Sequence, residues 1–169
     1  MSRVSQNHER LFRVWNLDST MNPSSIDAVR VPADAGPTGI LLSRDLIFTS
    51  KVIGTARELG HRVLVAGTSS LALAMIEQWR PCVVFVDLAA GALVAPEALL
   101  GYQGLAGPAT AFVAFGSHVD TEALAAARAA GCDPVMPRSK FSADLPELIR
   151  RYFQSAGSRG SLKDPKHQS

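Results

Sequence analysis

The chain has 169 residues, of which 47% are hydrophobic and 19% charged; this suits one globular domain with a real core and excludes a disordered polymer. Its formal net charge is +2, but residues 38–154 hold ten Lys/Arg against ten Asp/Glu, and the excess cations Arg159, Lys163 and Lys166 lie in the tail, so no basic face argues for nucleic acid. No run approaches the roughly 18 apolar residues of a membrane span, no signal pattern opens the chain, and Cys82 and Cys132 make no disulfide framework, which together predict a cytoplasmic protein in a reducing compartment.

Residues 1–37 mix polar residues with Pro23, Pro32 and Pro37 and read as a largely disordered arm, with one helical turn near Glu9 to Trp15. Met21 offers an alternative start. From Gly39 the punctuation becomes regular. Gly39-Ile40-Leu41-Leu42 is a short strand, and Asp45 caps a helix to about Leu59 whose Val52, Ile53 and Ala56 recur at helical spacing. Arg62 to Ala66 is a second strand; Ser69 or Ser70 caps a helix whose buried stripe is Ala72, Leu73, Ile76 and Trp79. Pro81-Cys82-Val83-Val84-Phe85-Val86-Asp87 follows, an apolar, β-branched run of the kind buried on both faces of a parallel sheet, with one carboxylate at its end. Leu88 to Gly107 is weakly patterned, with a short helix from Pro96 to about Tyr102. Thr110 to Phe115 is a fourth strand, Asp120 or Thr121 caps an alanine-rich helix ended by Gly131, and Pro134-Val135-Met136 is a short edge strand. Ser142 caps a last helix whose inner side carries Leu145, Leu148, Ile149, Tyr152 and Phe153.

Five alternations of strand and helix with short connections predict an α/β fold. It is a five-stranded parallel doubly wound sheet of flavodoxin-like type, strand order 2-1-3-4-5, with helices on both faces. The domain spans 38–154, and 155–169 is a flexible basic tail. The switch point of that order lies between the first and third strands, which brings Asp87 beside Ser43, Arg44 and Asp45. No glycine-rich phosphate loop follows the first strand, and no nucleophile elbow or paired Cys/His at metal spacing is present, so the chain is not expected to be an enzyme. His61 and His118 fall in loops.

From Gly39 to Phe153 the sequence resembles the receiver domain of bacterial two-component response regulators. PCVVFVDL looks like that family's phosphorylation strand, LALAMI its second helix, and AAARAAGCDPVMPRSKF its fourth helix, glycine stop and fifth strand. The resemblance implies that Asp87 is the phospho-acceptor candidate. It also places the family's metal-binding acid pair on Ser43 and Arg44, its hydroxyl residue on Gly116 with Ser117 beside it, and its lysine on Arg138. Ser139 stands where the family has proline, and Lys140 lies two residues late.

A metal bound for phosphoryl transfer needs several oxygen ligands, and four of these five positions have changed. The first expectation is therefore a degenerate receiver that binds a signalling protein partner, such as a histidine kinase or an output protein, with no cofactor and no normal magnesium-dependent phosphorylation. In it Arg44 or Arg138 pairs with Asp87. An alternative is a phosphorelay regulator using Asp87, with magnesium held by Asp45 and Asp87; another is a small-ligand binder or enzyme on the same fold. The resemblance further implies docking, including a homodimer, through the fourth helix to the fifth helix, where Arg128, Arg138, Lys140, Arg150 and Arg151 give a basic rim.

Overall fold

A computed structural model of the protein describes residues 36–160. The expectations for the N-terminal arm, for Met21 and for the tail beyond Gly160 lie outside the described residues.

Each short branched apolar run becomes a strand: β1 (Thr38–Leu42), β2 (Arg62–Ala66), β3 (Val83–Asp87), β4 (Ala111–Gly116) and β5 (Val135–Pro137). The helices between and after them are α1 (Leu46–Glu58), α2 (Ser69–Trp79), α3 (Pro96–Ala106), α4 (Thr121–Ala129) and α5 (Arg138–Gly160). All pairings are parallel, and the strand order is β2-β1-β3-β4-β5. This is the predicted doubly wound fold.

Alternation along the strands divides the core into two layers, because successive side chains point to opposite faces. Ile40, Leu42, Val84, Val86, Phe112 and Ala114 pack with Ala72, Ile76, Leu93, Leu99 and Tyr102 on one face. Leu41, Val83, Phe85, Val113 and Phe115 pack with Phe48, Val52, Ala56, Phe141, Leu145, Ile149 and Phe153 on the other. The central strand β3 is buried along its whole length, as its composition requires. Gly39 is closely packed: a Cβ there would lie 3.1 Å from the Phe153 ring, which would have to give way by a few tenths of an ångström.

Several local expectations are corrected. Thr68, rather than Ser69 or Ser70, caps α2 by accepting from the Leu71 amide, and Leu73 is exposed instead of lying on the buried stripe. Cys82 is half-buried just before β3 and Cys132 is buried; neither forms a disulfide. The weakly patterned stretch after β3 is a 3-10 helix (Leu88–Val94) broken at Gly91, where φ is +62°, and α3 then runs to Ala106. β4 lies one residue later than expected, and Asp120 is the cap of α4.

The largest difference is α5, which begins at Arg138 directly after β5 and continues to Gly160; Ser142 is inside it and accepts a hydrogen bond from Lys51 instead of capping it. Phe141 explains the early start. Its ring is fully buried and stacks on Phe115 at 4.0 Å, with Phe85 at 5.4 Å and Phe48 at 5.8 Å, so packing anchors the first turn. Among the described residues no helix is long and apolar enough to cross a membrane.

Candidate functional site

Asp87 ends β3, and the strand order places β1 and β4 on either side of it. Parallel strands all deliver their carboxyl ends to one edge, so the segments after β1, β3, β4 and β5 converge around this carboxylate. Asp87 is 1% exposed, and with Thr38 and Ser43 it makes up the buried polar residues among those described. A carboxylate so placed must find its hydrogen bonds inside the protein.

It does so through three donors. Oδ2 accepts from the Ser43 hydroxyl at 2.8 Å, and Oδ1 accepts from the Ala89 amide at 3.1 Å and from Arg138 Nη2 at 2.6 Å. The other arm of the same guanidinium, Nη1, donates to Asp45 Oδ2 at 2.9 Å. Asp45 meanwhile caps α1, its Oδ1 accepting from the Phe48 amide at 3.0 Å, while its own amide donates to Ser43 Oγ at 3.1 Å. The result is a closed ring in which one cation spans two carboxylates and one hydroxyl links the same two residues.

An aromatic floor completes the ring. The Arg138 guanidinium carbon lies 4.8 Å from the centre of the Phe48 ring and 5.7 Å from that of Phe115, within the range of cation–π attraction. The amide of Phe48 first, and Arg138 next to it, hold the Asp45 carboxyl below its ordinary value, because both stabilise the charged form.

The structure thus brings together Asp87, Ser43, Asp45 and Arg138, and it separates the other predicted neighbours. Arg44 is exposed and its Nε donates to the carbonyl of Gly67 at 3.2 Å, so it is not the arginine that pairs with Asp87. Lys140 is exposed on α5 and pairs with Asp144 at 2.7 Å. Gly116 is buried against Leu88, where an added Cβ would lie 3.1 Å from the leucine Cβ. Ser117 and His118 are exposed in the loop after β4, and His61 packs on Phe153 with ring centres 4.5 Å apart.

Sequence reasoning did not assign Phe48, Phe115 or the Ala89 amide to the site. The position of Phe48 three residues after the capping acid was the available signal, since a cap's side chain bonds the amide at that spacing.

The expected basic rim is largely occupied within the domain. Arg138 faces the site, Arg128 Nη2 donates to the Val135 carbonyl at 3.3 Å, and Arg150 lies 3.9 Å from Glu147. Among the described residues, no group of three or more His, Cys, Asp or Glu could hold a metal ion. A groove of about 490 Å³, lined by Gln103, Gly107, Thr110, Gly131 and Asp133 among others, lies at the amino edge of β4 and β5, opposite Asp87.

No family model matches this sequence, and no curated protein does. Solved structures match closely in shape. A response regulator receiver domain protein, described as CheY-like, from Methanospirillum hungatei JF-1 superposes with a TM-score of 0.62 at 18% identity, over 74% of this chain and 99% of that one. The chain has the receiver fold. A response regulator from Thermotoga maritima shares that fold with a TM-score of 0.59 at 18% identity, over 70% of this chain and 98% of its own. So does the receiver domain of the sensor histidine kinase PA1611 from Pseudomonas aeruginosa PAO1, with a TM-score of 0.59 at 17% identity, over 71% and 99%. That last receiver was solved with a magnesium ion coordinated in its active-site cleft.

Proposed function

We propose that this domain is a cytoplasmic receiver-like signalling module that acts by binding a protein partner and does not run magnesium-dependent phosphoryl transfer on Asp87. The observation that carries this reading is the Arg138 guanidinium between Asp45 Oδ2 and Asp87 Oδ1, at 2.9 and 2.6 Å. A divalent ion serving phosphoryl transfer would have to neutralise the oxygens of those same two carboxylates. Here a permanent cation already does so, and Arg remains protonated throughout the physiological range. The donor set therefore does not fit a magnesium ion, and no chemical step is assigned to one.

The three donors to Asp87 support the same reading. A carboxylate that is 1% exposed and engaged by a hydroxyl, an amide and a guanidinium is shielded from an incoming phosphoryl group and lowered in nucleophilicity by each bond. The charge balance also resembles a site already filled by a cation, so the domain is held in one state. Its partner is a signalling protein of the histidine kinase or output class, and the domain is not an enzyme.

The test is incubation of the full chain with acetyl phosphate and Mg²⁺, followed by intact-mass spectrometry and peptide mapping. The expected result is no adduct at Asp87 above the level of an Asp87→Asn control. A metal-dependent adduct on Asp87 would overturn the proposal in favour of a phospho-accepting regulator.

A further inference from the structure

The groove at the amino edge of β4 and β5 carries a side chain that packing does not require. Gln103 lies on α3 four residues after Leu99, which is 1% exposed, and so on the inward side of that helix. Its Nε2 is buried and has no hydrogen-bond partner among the described residues. A buried donor without an acceptor is disfavoured, and an apolar side chain would fill the same place without that cost. Gly131, after α4, has a φ of +90°, and a Cβ there would lie 2.9 Å from Gln103 Oε1. Glycine at that turn thus leaves the room the amide occupies.

Two polar side chains are left to the groove. The Thr110 hydroxyl is engaged by the Pro81 carbonyl at 2.7 Å, which leaves Gln103 and Asp133. The Asp133 side chain is exposed and makes no ion pair among the described residues. The lining includes no Lys, Arg or His, and Pro108, Ala111 and Phe112 give it apolar surface. A phosphate or carboxylate ligand would meet the Asp133 charge with no cation in the lining to offset it. At about 490 Å³ the groove is of a size that takes a small molecule.

We propose that this groove binds a neutral amino-heterocycle of the nucleobase or nucleoside kind. Gln103 Nε2 donates to a ring nitrogen, and the Asp133 carboxylate accepts from the amino group beside it. Such an edge supplies what each side chain lacks, one acceptor for the amide and one donor for the carboxylate, and glutamine amides pair with this edge of adenine in nucleic-acid recognition. The terminal torsion of glutamine is broad, so the amide turns its Nε2 toward the ligand without moving α3. The site lies at the opposite end of the sheet from Asp87 and stands apart from the signalling reading above.

The test titrates the full chain with adenosine and, separately, with cytidine, followed by amide NMR. The expected result is saturable shifts at Gln103, Gly131 and Asp133 with at least one of the two. The dimethylamino analogue of that nucleoside, which can no longer donate, should bind about tenfold more weakly, and its monophosphate should also bind more weakly. Gln103→Met keeps an unbranched side chain without the amide and should weaken binding about tenfold with unchanged circular dichroism. Asp133→Asn, at an exposed position, should narrow the gap between nucleoside and monophosphate. No saturable shift with either nucleoside, equal affinity of the dimethylamino analogue, or unchanged affinity of Gln103→Met would overturn the proposal. So would displacement by an equal concentration of putrescine, or shifts centred on Asp87. A phosphoryl adduct on Asp87 would overturn the signalling reading without any effect on this titration.

Discussion

Replacing Arg138 by Met is the sharpest perturbation of the site. Met keeps an unbranched apolar stem over Phe48 but removes the cation from a carboxylate that is 1% exposed. Removing one partner of a buried pair costs about 3–5 kcal/mol, because the other charge is left uncompensated. Arg138 is 31% exposed and Asp45 40%, so part of the interaction is screened by water and the lower end, about 3 kcal/mol, is expected. At roughly 3–5 °C per kcal/mol for a domain of this size, the melting temperature should fall by about 10 °C. Thermal and urea unfolding followed by circular dichroism measure this directly. Adding Asp87→Asn removes the stranded charge, and the double variant should recover about 2 kcal/mol relative to the sum of the single effects. An Arg138→Met variant within about 0.5 kcal/mol of the parent, the usual range for surface positions, would refute the reasoning.

Ser43→Ala leaves both Asp87 Oδ2 and the Asp45 amide without their hydroxyl partner, and should cost about 2 kcal/mol in urea unfolding. Gly116→Ser puts a hydroxyl at the carboxyl end of β4, but its Cβ would meet Leu88 at 3.1 Å; about 1 kcal/mol of destabilisation is expected, as for overpacking, without gain of an Asp87 adduct. Burial pushes the Cys132 thiol up from 9.0 to about 11, so the folded state keeps that proton longer than the unfolded one. Its contribution is fully present below pH 9 and declines as pH rises toward 11; Cys132→Val should remove that part of the alkaline loss in a pH series of melting temperatures.

Much of the fold could be read from local chemistry. Runs such as Arg62 to Ala66 and Val83 to Asp87 carry their own strand boundaries, and Asp45 and Asp120 carry their caps. What escaped was decided by packing. Nothing in PRSKF marks a helix start, and Ser142 offers a competing cap; the fully buried Phe141 sets α5 in place through contacts with rings from β3, β4 and α1. Leu88 to Val94 has no α-helical period because it is a 3-10 helix interrupted at Gly91. In the site, two arginines stood at altered positions and sequence could not choose between them. Topology chooses: Arg44 leaves β1 toward β2 and Gly67, whereas Arg138 begins α5 above Phe48 and Phe115, facing both carboxylates.

The central claim is that Arg138 holds the position a metal ion would need between Asp45 and Asp87. Titration of the isotopically labelled chain with Mn²⁺, whose unpaired electrons broaden nearby amide signals, tests it most directly. Ala89, Asp45 and Ser43 are expected to keep their intensities while only scattered surface signals weaken without saturation. Saturable broadening centred on Ala89 and Asp45, competed away by Mg²⁺, would contradict it.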